Sequence, residues 1–371
     1  MDSYKEIIAL SMLNGVGPII AKTLLTAFGS AREAFMATRA DILSVNGLGT
    51  SVADVVLNGK QVALEAAEKE LEKMEKLGIT PIAYTDSSYP KRLLQLDSSP
   101  IVIYVKGNAD LNALKVLSII GTRRPTDYGK EICAKIVSDL ALRHRGLMIV
   151  SGLAYGIDVI AHRAALQNGL PTVGVMAHGL DKIYPSQHRE TAMQMQKNGA
   201  LLSEYIIGTD PDAPNFVSRN RIVAAMADAT LVVESGEKGG SLITARDAHE
   251  LERDVMAVPG SPAAEMSKGC NNLIKQQRAH LVTDAKDIED VLCWTADSEE
   301  KKAVQGSLFT IPLTQEEQMI YDKLMLSKGL SASTLSQQTG MAVSKVNTLL
   351  LQMEFSGAVK SMPGNIYKLV K

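Results

Sequence analysis

The sequence FVSRNRIVAAMADATLVVESGEKGGSLITARDAHELERDVMAVP, residues 216–259, decides the fold class. It predicts a helix, a buried strand, a glycine turn, a second helix and a second buried strand. The apolar run 229–233 is short and rich in β-branched residues, which favours a buried parallel strand over a helix. Ser241 opens the second helix directly after the turn. Such a turn leaves backbone N–H groups free at the positive end of the helix dipole, so it predicts an anion site, most commonly for phosphate.

The alternation of strand and helix extends on both sides of this stretch. Strands are predicted from VLSIIG (116–121) and LMIVSG (147–152), then from TVGVMA, ALLSEY, ATLVVES, DVMAVPG and finally AHLVT (279–283). A further strand is predicted earlier, at 101–105. Strands separated by single helices predict an α/β fold with a doubly wound parallel sheet.

The first 80 residues contain a repeat. LNGVG (13–17) and VNGLG (45–49) each precede a helical pattern, as in the helix-hairpin-helix motif, whose glycine turn can offer N–H groups to a DNA phosphate. A purely structural turn explains the repeat equally well, because few basic residues lie nearby. A long, charged amphipathic helix is predicted over 61–77, ending at Gly78.

The last sixty or so residues predict three helices and a short hairpin, the order of a winged helix. The presumed recognition helix, 342–357, has Lys345 as its one base and Glu354 opposing it, which favours a protein contact over DNA. The predicted domains are an N-terminal helical domain, an α/β domain, a linker and a winged-helix domain. Their residues are 1–80, 81–292, 293–311 and 312–371.

Composition narrows the functional class. The chain has 371 residues and a formal net charge of −2, so any polyanion must bind a local basic patch. Its three cysteines are far apart without CxxC spacing, which argues against zinc ribbons and disulfides and favours a reducing cytoplasm. No signal-peptide pattern and no apolar run of spanning length is present. We therefore expect a soluble cytoplasmic protein.

Unusual residues follow several of the predicted strands. Ligands of such sheets bind beyond the carboxyl ends of the strands, at the point where the strand order reverses. Arg123 and Arg124 can grip a phosphate there, although two solvated arginines at a loop tip are the alternative. Phe216 lies just before Arg219-Asn220-Arg221, a pattern typical of single-strand binders that stack a base and pair phosphates. A core phenylalanine at the helix entrance is the alternative.

The sequence gives little support for catalysis. Asp158 in a first helical turn suits the helix dipole, and His162 one turn later can simply pair with it. Glu204 and Glu234 end strands near one rim and could act as acid and base, but nothing fixes their separation. The remaining histidines lack metal-ligand spacing and are expected at the surface or behind other side chains: His178, His188 and His249. No GxGxxG fingerprint is present, and we expect no catalytic residue, no cofactor and no metal.

Six motifs together resemble the DNA-processing protein A family of natural transformation, also called Smf. They are SIIGTRRPTDYG, SGLAYGIDVIAHRAAL, LLSEY, FVSRNRIVAAM, VVESGEKGGSLITA and VMAVPGSP, in the family's order over roughly 84–290. The flanking helical hairpins and winged helix resemble that family's variable modules.

The resemblance implies an extended Rossmann-like fold that binds single-stranded DNA, forms homodimers and has no catalytic activity. It also implies protection of incoming DNA and loading of the RecA recombinase, which relieves the block set by single-strand binding protein. On the matching positions it implies a DNA-binding pocket made of Gly121, Thr122, Arg123, Ser151, Gly152, Phe216, Arg219, Asn220, Arg221, Gly239, Gly240 and Ser241. Arg124 adjoins this set, at a position where many relatives carry Lys or another polar residue.

Two other functional classes compete with this interpretation. A nucleotide-handling enzyme related to phosphoribohydrolases would hold a mononucleotide phosphate at Arg123 and the Gly239-Gly240 turn, with Glu204 or Glu234 performing the chemistry. A duplex-binding regulator would act through the winged helix, and residues 311–371 alone would then bind double-stranded DNA.

Overall fold

The large sheet of the protein has nine strands. In the computed structural model, which describes residues 4–297, 314–325, 327, 329–355, 358–362 and 366–369, the strand order is β1-β2-β6-β5-β4-β3-β7-β8-β9. The strands are β1 (Thr80–Ala83), β2 (Val102–Gly107), β3 (Val116–Ile120), β4 (Met148–Ser151), β5 (Thr172–Met176), β6 (Gly199–Ser203), β7 (Ala229–Val232), β8 (Asp254–Ala257) and β9 (His280–Leu281). The predicted α/β fold with a parallel sheet is confirmed. However, near one edge β2 runs antiparallel to both of its neighbours, β1 and β6. The edge strand β1 was not predicted.

The strand order reverses at β3, which lies between β4 and β7. Leu117 and Ile119 of β3 face one hydrophobic core, whereas Val116 and Ile120 face the other, as the two-residue period of a strand requires. Helices α6 (Asp127–Arg143), α7 (Ile157–Gln167) and α12 (Ala285–Leu292) cover the first face. Helices α9 (Ala213–Ala225), α10 (Ser241–Glu250) and α11 (Lys268–Lys275) cover the second. The carboxyl ends of β3, β4 and β7 therefore open into one crevice.

Five helices precede the sheet: α1 (Tyr4–Met12), α2 (Pro18–Phe28), α3 (Ala31–Met36), α4 (Arg39–Ser44) and α5 (Thr50–Leu77). The predicted helix over 61–77 is present and ends at Gly78, but it is the second part of a longer helix, because α5 runs unbroken for 28 residues from the second hairpin. Gly78 ends it with φ +66°, a conformation that favours glycine.

The N-terminal helices share a core with the sheet. Buried side chains of α1 to α5 pack with Tyr104, Met176 and Leu201, and residues 1–296 form one compact unit. A domain boundary between residues 80 and 81 therefore stays a prediction. In the hairpins, Lys22 donates to the carbonyl oxygen of Asp97 and to Ser99 Oγ, and Arg39 pairs with Asp54. These engaged cations favour the structural explanation of the hairpin repeat.

Residues 297–371 form a second compact unit. Its helices are α13 (Gln315–Met325), α14 (Ala332–Thr339) and α15 (Val343–Phe355), and its strands are β10 (Leu330–Ser331), β11 (Val359–Met362) and β12 (Ile366–Leu369). The strands form one small sheet in the order β10-β12-β11, and the helices enclose a separate core around Leu335 and Leu350. This arrangement confirms the predicted winged helix. Most of the predicted linker, 298–311, lies outside the described residues.

No helix among the described residues combines the length and the apolar character needed to cross a membrane.

Candidate functional site

A cleft of about 400 Å³ lies at the carboxyl ends of the central strands. Loops after β3, β4 and β7 form its sides together with α9 and the start of α10. Ten of the thirteen residues predicted for the site line it: Gly121, Thr122, Arg123, Gly152, Phe216, Arg219, Asn220, Gly239, Gly240 and Ser241. The fold thus brings together residues from four separate sequence motifs.

The other three predicted residues do not line the cleft. Ser151 is fully buried and donates its hydroxyl proton to the carbonyl oxygen of Ile119 at 2.6 Å. Arg221 donates from Nη1 and Nη2 to the two carboxylate oxygens of Glu204, both at 2.7 Å. Arg124 is exposed beside the cleft, and its backbone N–H donates to Thr122 Oγ1. Ser151 and Arg221 therefore hold the surrounding structure together.

Arg219 forms the floor of the cleft. Its side chain is only 4% exposed, and Nη1 donates to the carbonyl oxygens of Gly152, at 2.9 Å, and Val175. Burial lowers the pKa of Arg219 to about 10, although nearby Asp158 opposes this shift. Asp158 accepts hydrogen bonds from the backbone N–H groups of Gly152 and Ala154, and burial raises its pKa. Arg219 thus links the loop after β4 to the end of β5 beneath the cleft.

Phe216 lies on the wall of the cleft and not in the core. Its ring is half-buried, and the guanidinium carbon of Arg123 lies 5.7 Å from the ring centroid. The guanidinium carbon of Arg219 lies 6.0 Å from the same centroid. The exposed Arg123 guanidinium makes no hydrogen bond or ion pair within the described part of the chain. An aromatic face and a cation without a hydrogen-bonded or ion-paired partner among the described residues are therefore adjacent, at cation–π distance, at the mouth of the cleft.

The N-terminus of α10 points its first amides at the cleft. Within residues 4–297, the backbone N–H groups of Gly240 and Ser241 donate no hydrogen bond, and no side chain caps the helix. The Ser241 hydroxyl donates to Ser235 Oγ at 2.9 Å. In the loop after β4, Gly156 has φ +80°, and a Cβ there would collide with the carbonyl oxygen of Thr122. This arrangement has the features of an anion site.

The candidate catalytic groups face away from the cleft. Glu234 is 2% exposed and accepts hydrogen bonds from Thr126 N, at 2.8 Å, and Thr126 Oγ1, at 2.6 Å. Glu204 is paired with Arg221. Neither glutamate lines the cleft, and the carboxylate that does line it, Asp158, accepts the backbone N–H groups of Gly152 and Ala154.

Of the histidines considered above, all but His249 are buried and hydrogen-bonded within the fold. The predicted pairing of His162 with Asp158 was wrong, because His162 Nδ1 is hydrogen-bonded to Thr172 Oγ1 at 2.7 Å. His178 and His188 are buried, with ring nitrogens 2.8 and 2.9 Å from backbone oxygens, and His249 is exposed. Among the described residues, no group of three His, Cys, Asp or Glu side chains could hold a metal ion.

Several residues in or beside the cleft were not predicted as site residues from the sequence. Thr244 lines the cleft one turn inside α10, and Lys238 is exposed in the glycine turn just before it. The ring centroid of Tyr184 lies 5.8 Å from that of Phe216. A single basic residue within a glycine turn is the sequence pattern that could have indicated Lys238 as part of the site. No sequence pattern links Tyr184 to Phe216.

Two family models match the chain. The model for DNA recombination-mediator protein A matches residues 80–292, which contain the cleft. The chain belongs to the DNA-processing protein A (DprA/Smf) family. The model for the DprA winged helix domain matches residues 310–365. The family resemblance of the sequence motifs is thereby confirmed.

Family members of known sequence and structure resemble most of the chain. Protein Smf of Synechocystis sp. is 32% identical over 393 residues, covering 97% of each chain. The DNA processing protein A structure from Streptococcus pneumoniae is 31% identical with a TM-score of 0.65, covering 78% of this chain and 98% of that one. The Helicobacter pylori structure, whose single-stranded DNA binding mode is described, is 30% identical with a TM-score of 0.53. It covers 58% of this chain and 95% of that one.

Proposed function

We propose that this DprA-family chain binds single-stranded DNA in the cleft at the carboxyl ends of β3, β4 and β7. The observation that carries the proposal is the half-buried ring of Phe216 with the Arg123 guanidinium 5.7 Å from its centroid. Among the described residues, this guanidinium has no hydrogen-bonded or ion-paired partner. An aromatic face stacks on any base, and an arginine pairs with the adjoining phosphate. The H. pylori relative with a described single-stranded DNA binding mode supports the same conclusion.

The open start of α10 supplies a second phosphate contact. The free N–H groups of Gly240 and Ser241 carry partial positive charge at a helix N-terminus. Lys238, in the preceding turn, adds a mobile full charge. The phosphodiester backbone would therefore run between Arg123 and α10, with a base on Phe216. In a duplex the bases are stacked and paired, so Phe216 cannot reach their faces without opening the helix.

The cellular role that we propose follows from family membership. The protein protects incoming single-stranded DNA during natural transformation and loads RecA onto it, relieving the block set by single-strand binding protein. It acts as a cytoplasmic homodimer without catalytic activity or cofactor. Few cations line the cleft, so dimerisation would strengthen modest binding by each protomer through avidity.

We also propose the domain division given above, 1–80, 81–292, 293–311 and 312–371. Within it, the α/β domain carries the DNA and the winged helix contacts protein. The matches of the two family models at 80–292 and 310–365 are compatible with this division.

A nucleotide hydrolase is the weaker alternative. It needs a free carboxylate beside the bound nucleotide, whereas Glu234 is hydrogen-bonded to Thr126 and Glu204 is paired with Arg221. The carboxylate that lines the cleft, Asp158, is occupied by two backbone N–H groups. Turnover of a nucleoside monophosphate that Glu204→Gln or Glu234→Gln abolished would favour this alternative.

The proposed function is tested by titrating a fluorescent oligo-dT, with a duplex of equal length in parallel, at several salt concentrations. Wild type is expected to prefer the single strand. Arg123→Ala should weaken binding and reduce the slope of log K against log salt by about 0.7, the loss of one phosphate contact. Phe216→Ala should weaken binding by about 5- to 100-fold with little change of slope. Arg32→Ala, which removes an exposed arginine of α3 outside the cleft, is the control.

Equal affinity of wild type for both DNA forms would contradict the proposed function. Unchanged single-strand binding in both cleft variants would place the DNA contact elsewhere on the chain.

A further inference from the structure

Tyr184 is an exposed aromatic residue beside the cleft. Its side chain is 46% exposed, and its ring centroid lies 5.8 Å from that of Phe216, with an angle of 52° between the ring planes. Its hydroxyl makes no hydrogen bond within the described residues. Tyr184 neither fills the core nor anchors a loop through its hydroxyl. Its contacts within the fold therefore give no structural reason for an exposed aromatic ring at this position.

Two other exposed tyrosines on the same unit show what a structural tyrosine looks like here. Tyr155 donates its hydroxyl proton to Gln187 Oε1 at 2.8 Å, and its ring packs edge-on against His188 at 5.1 Å between centroids. Tyr128 donates to the carbonyl oxygen of Pro259 at 2.9 Å. Both hydroxyls tie segments together, in contrast to that of Tyr184.

The loop that carries Tyr184, residues 177–188 between β5 and α8 (Arg189–Met195), is fixed at both ends. On one side, Gly179 N donates to the carbonyl oxygen of Thr209, and Ser203 Oγ donates to that of His178 at 2.7 Å. On the other side, His188 Nδ1 lies 2.9 Å from the carbonyl oxygen of Leu153.

An ion pair adds to this support, since Lys182 Nζ lies 2.6 Å from Asp210 Oδ1. The backbone segment that carries Tyr184 is thus held in place before any ligand arrives, so less conformational entropy is lost when a planar group stacks on its ring.

We propose that Tyr184 is a second stacking platform that takes the nucleotide base next to the one on Phe216. This inference rests on the proposed binding of single-stranded DNA. Stacking on an aromatic ring is independent of base identity, so the platform increases affinity without adding sequence preference.

The angle between the two rings favours some DNA conformations over others. Two bases that each lie parallel to their ring are inclined by about the 52° between the ring planes. Neighbouring bases in a duplex are nearly parallel and cannot adopt this angle without unstacking, which costs a few kcal/mol per step. The Phe216–Tyr184 pair therefore favours a flexible single strand over a duplex.

The test compares wild type, Tyr184→Ala and Tyr184→Phe as full-length chains, with fluorescent oligo-dT as the probe. Tyr184→Ala should weaken binding by about 5- to 100-fold, while the salt slope stays that of wild type because no phosphate contact is lost. Tyr184→Phe should restore binding, since the ring and not the hydroxyl is required. Tyr4→Ala, which removes an exposed tyrosine of α1 away from the cleft, should bind like wild type.

A second probe identifies the partner of the ring as a base. Oligo-dT with one abasic site, moved along the strand, should bind wild type more weakly at two adjacent positions. At one of these positions the penalty should vanish in Phe216→Ala, and at the other in Tyr184→Ala.

The outcomes separate this inference from the proposed function. Wild-type affinity in Tyr184→Ala, together with loss of affinity in Phe216→Ala, would overturn the second platform and leave the proposed function intact. A reduced salt slope in Tyr184→Ala, or failure of Tyr184→Phe to restore binding, would also overturn the platform. Absence of oligo-dT binding by wild type would overturn both.

Discussion

The guanidinium group of Arg219 lies directly beneath Gly152, whose carbonyl oxygen accepts a hydrogen bond from Nη1 at 2.9 Å. A Cβ added to Gly152 would stand 2.7 Å from Cζ and 2.8 Å from Nη1 of Arg219. The loop after β4 and the floor of the cleft are therefore packed without room for a methyl group.

Gly152→Ala should consequently destabilise the protein and weaken DNA binding together. The buried arginine has to move, and overpacking of this kind lowers the free energy of unfolding by about 1–3 kcal/mol. Urea denaturation and oligo-dT titration measure the two effects. Gly240→Ala is the stability control, because a Cβ there meets nothing within 4 Å and the backbone is helical. Equal stability of Gly152→Ala and wild type would contradict the packing argument.

Arg221 should be required for stability more than for phosphate binding. Its pair with Glu204 is largely buried, and Arg221→Ala leaves that carboxylate without its partner, which costs about 3 kcal/mol in the free energy of unfolding. The double variant Arg221→Met with Glu204→Leu should recover most of this loss, as judged by urea denaturation. The salt slope of oligo-dT binding by the double variant should equal that of wild type. A slope lowered by about 0.7 would instead indicate a phosphate contact at Arg221.

His162 should make stability depend on pH in the acidic range. Burial lowers the pKa of His162 from 6.5 to about 3. Between these values the unfolded chain binds a proton that the folded chain excludes, so stability falls as the pH falls. The slope contributed approaches about 1.4 kcal/mol per pH unit. Urea denaturation of wild type and His162→Gln from pH 7 to pH 4 measures the difference, and parallel curves would refute the buried neutral state.

Lys345 should contribute nothing to DNA affinity. It is the one basic residue on α15, and it is paired with Glu316 of α13 within the winged helix. Lys345→Ala in the full-length chain is expected to leave both single-strand and duplex titrations unchanged. Loss of duplex binding in this variant, with single-strand binding retained, would favour the duplex-binding regulator.

The sequence predicts the sheet better than the site. Runs such as 116–120 are apolar except for Ser118, so they predict buried strands independently of their neighbours. β1 escapes prediction because it is a short, partly exposed edge strand that begins Thr-Pro directly after a long helix. The position of Tyr184 beside Phe216 depends on how the loop after β5 packs against the start of α9, which no local pattern encodes.

The arginines of α9 illustrate the same limit. Arg219 and Arg221 are two positions apart, and successive residues of a helix are rotated by about 100°. They therefore point to opposite sides, one into the cleft floor and the other to Glu204. The two arginines of this motif therefore do not form one basic cluster, because helical geometry directs them to different sides of α9.

The N-terminal helices are attached to the sheet by more than apolar packing. The carboxylate of Glu70, 3% exposed on α5, accepts the backbone N–H of Ile207 at 2.6 Å, close to the loop that supports Tyr184 through Thr209 and Asp210. A truncation that begins at residue 81 would uncover Tyr104, Met176 and Leu201 and leave that N–H without its acceptor. The helices thus share a packed core with the sheet that forms the cleft, and an evolutionary loss of this module would require polar replacements on the sheet face that it covers.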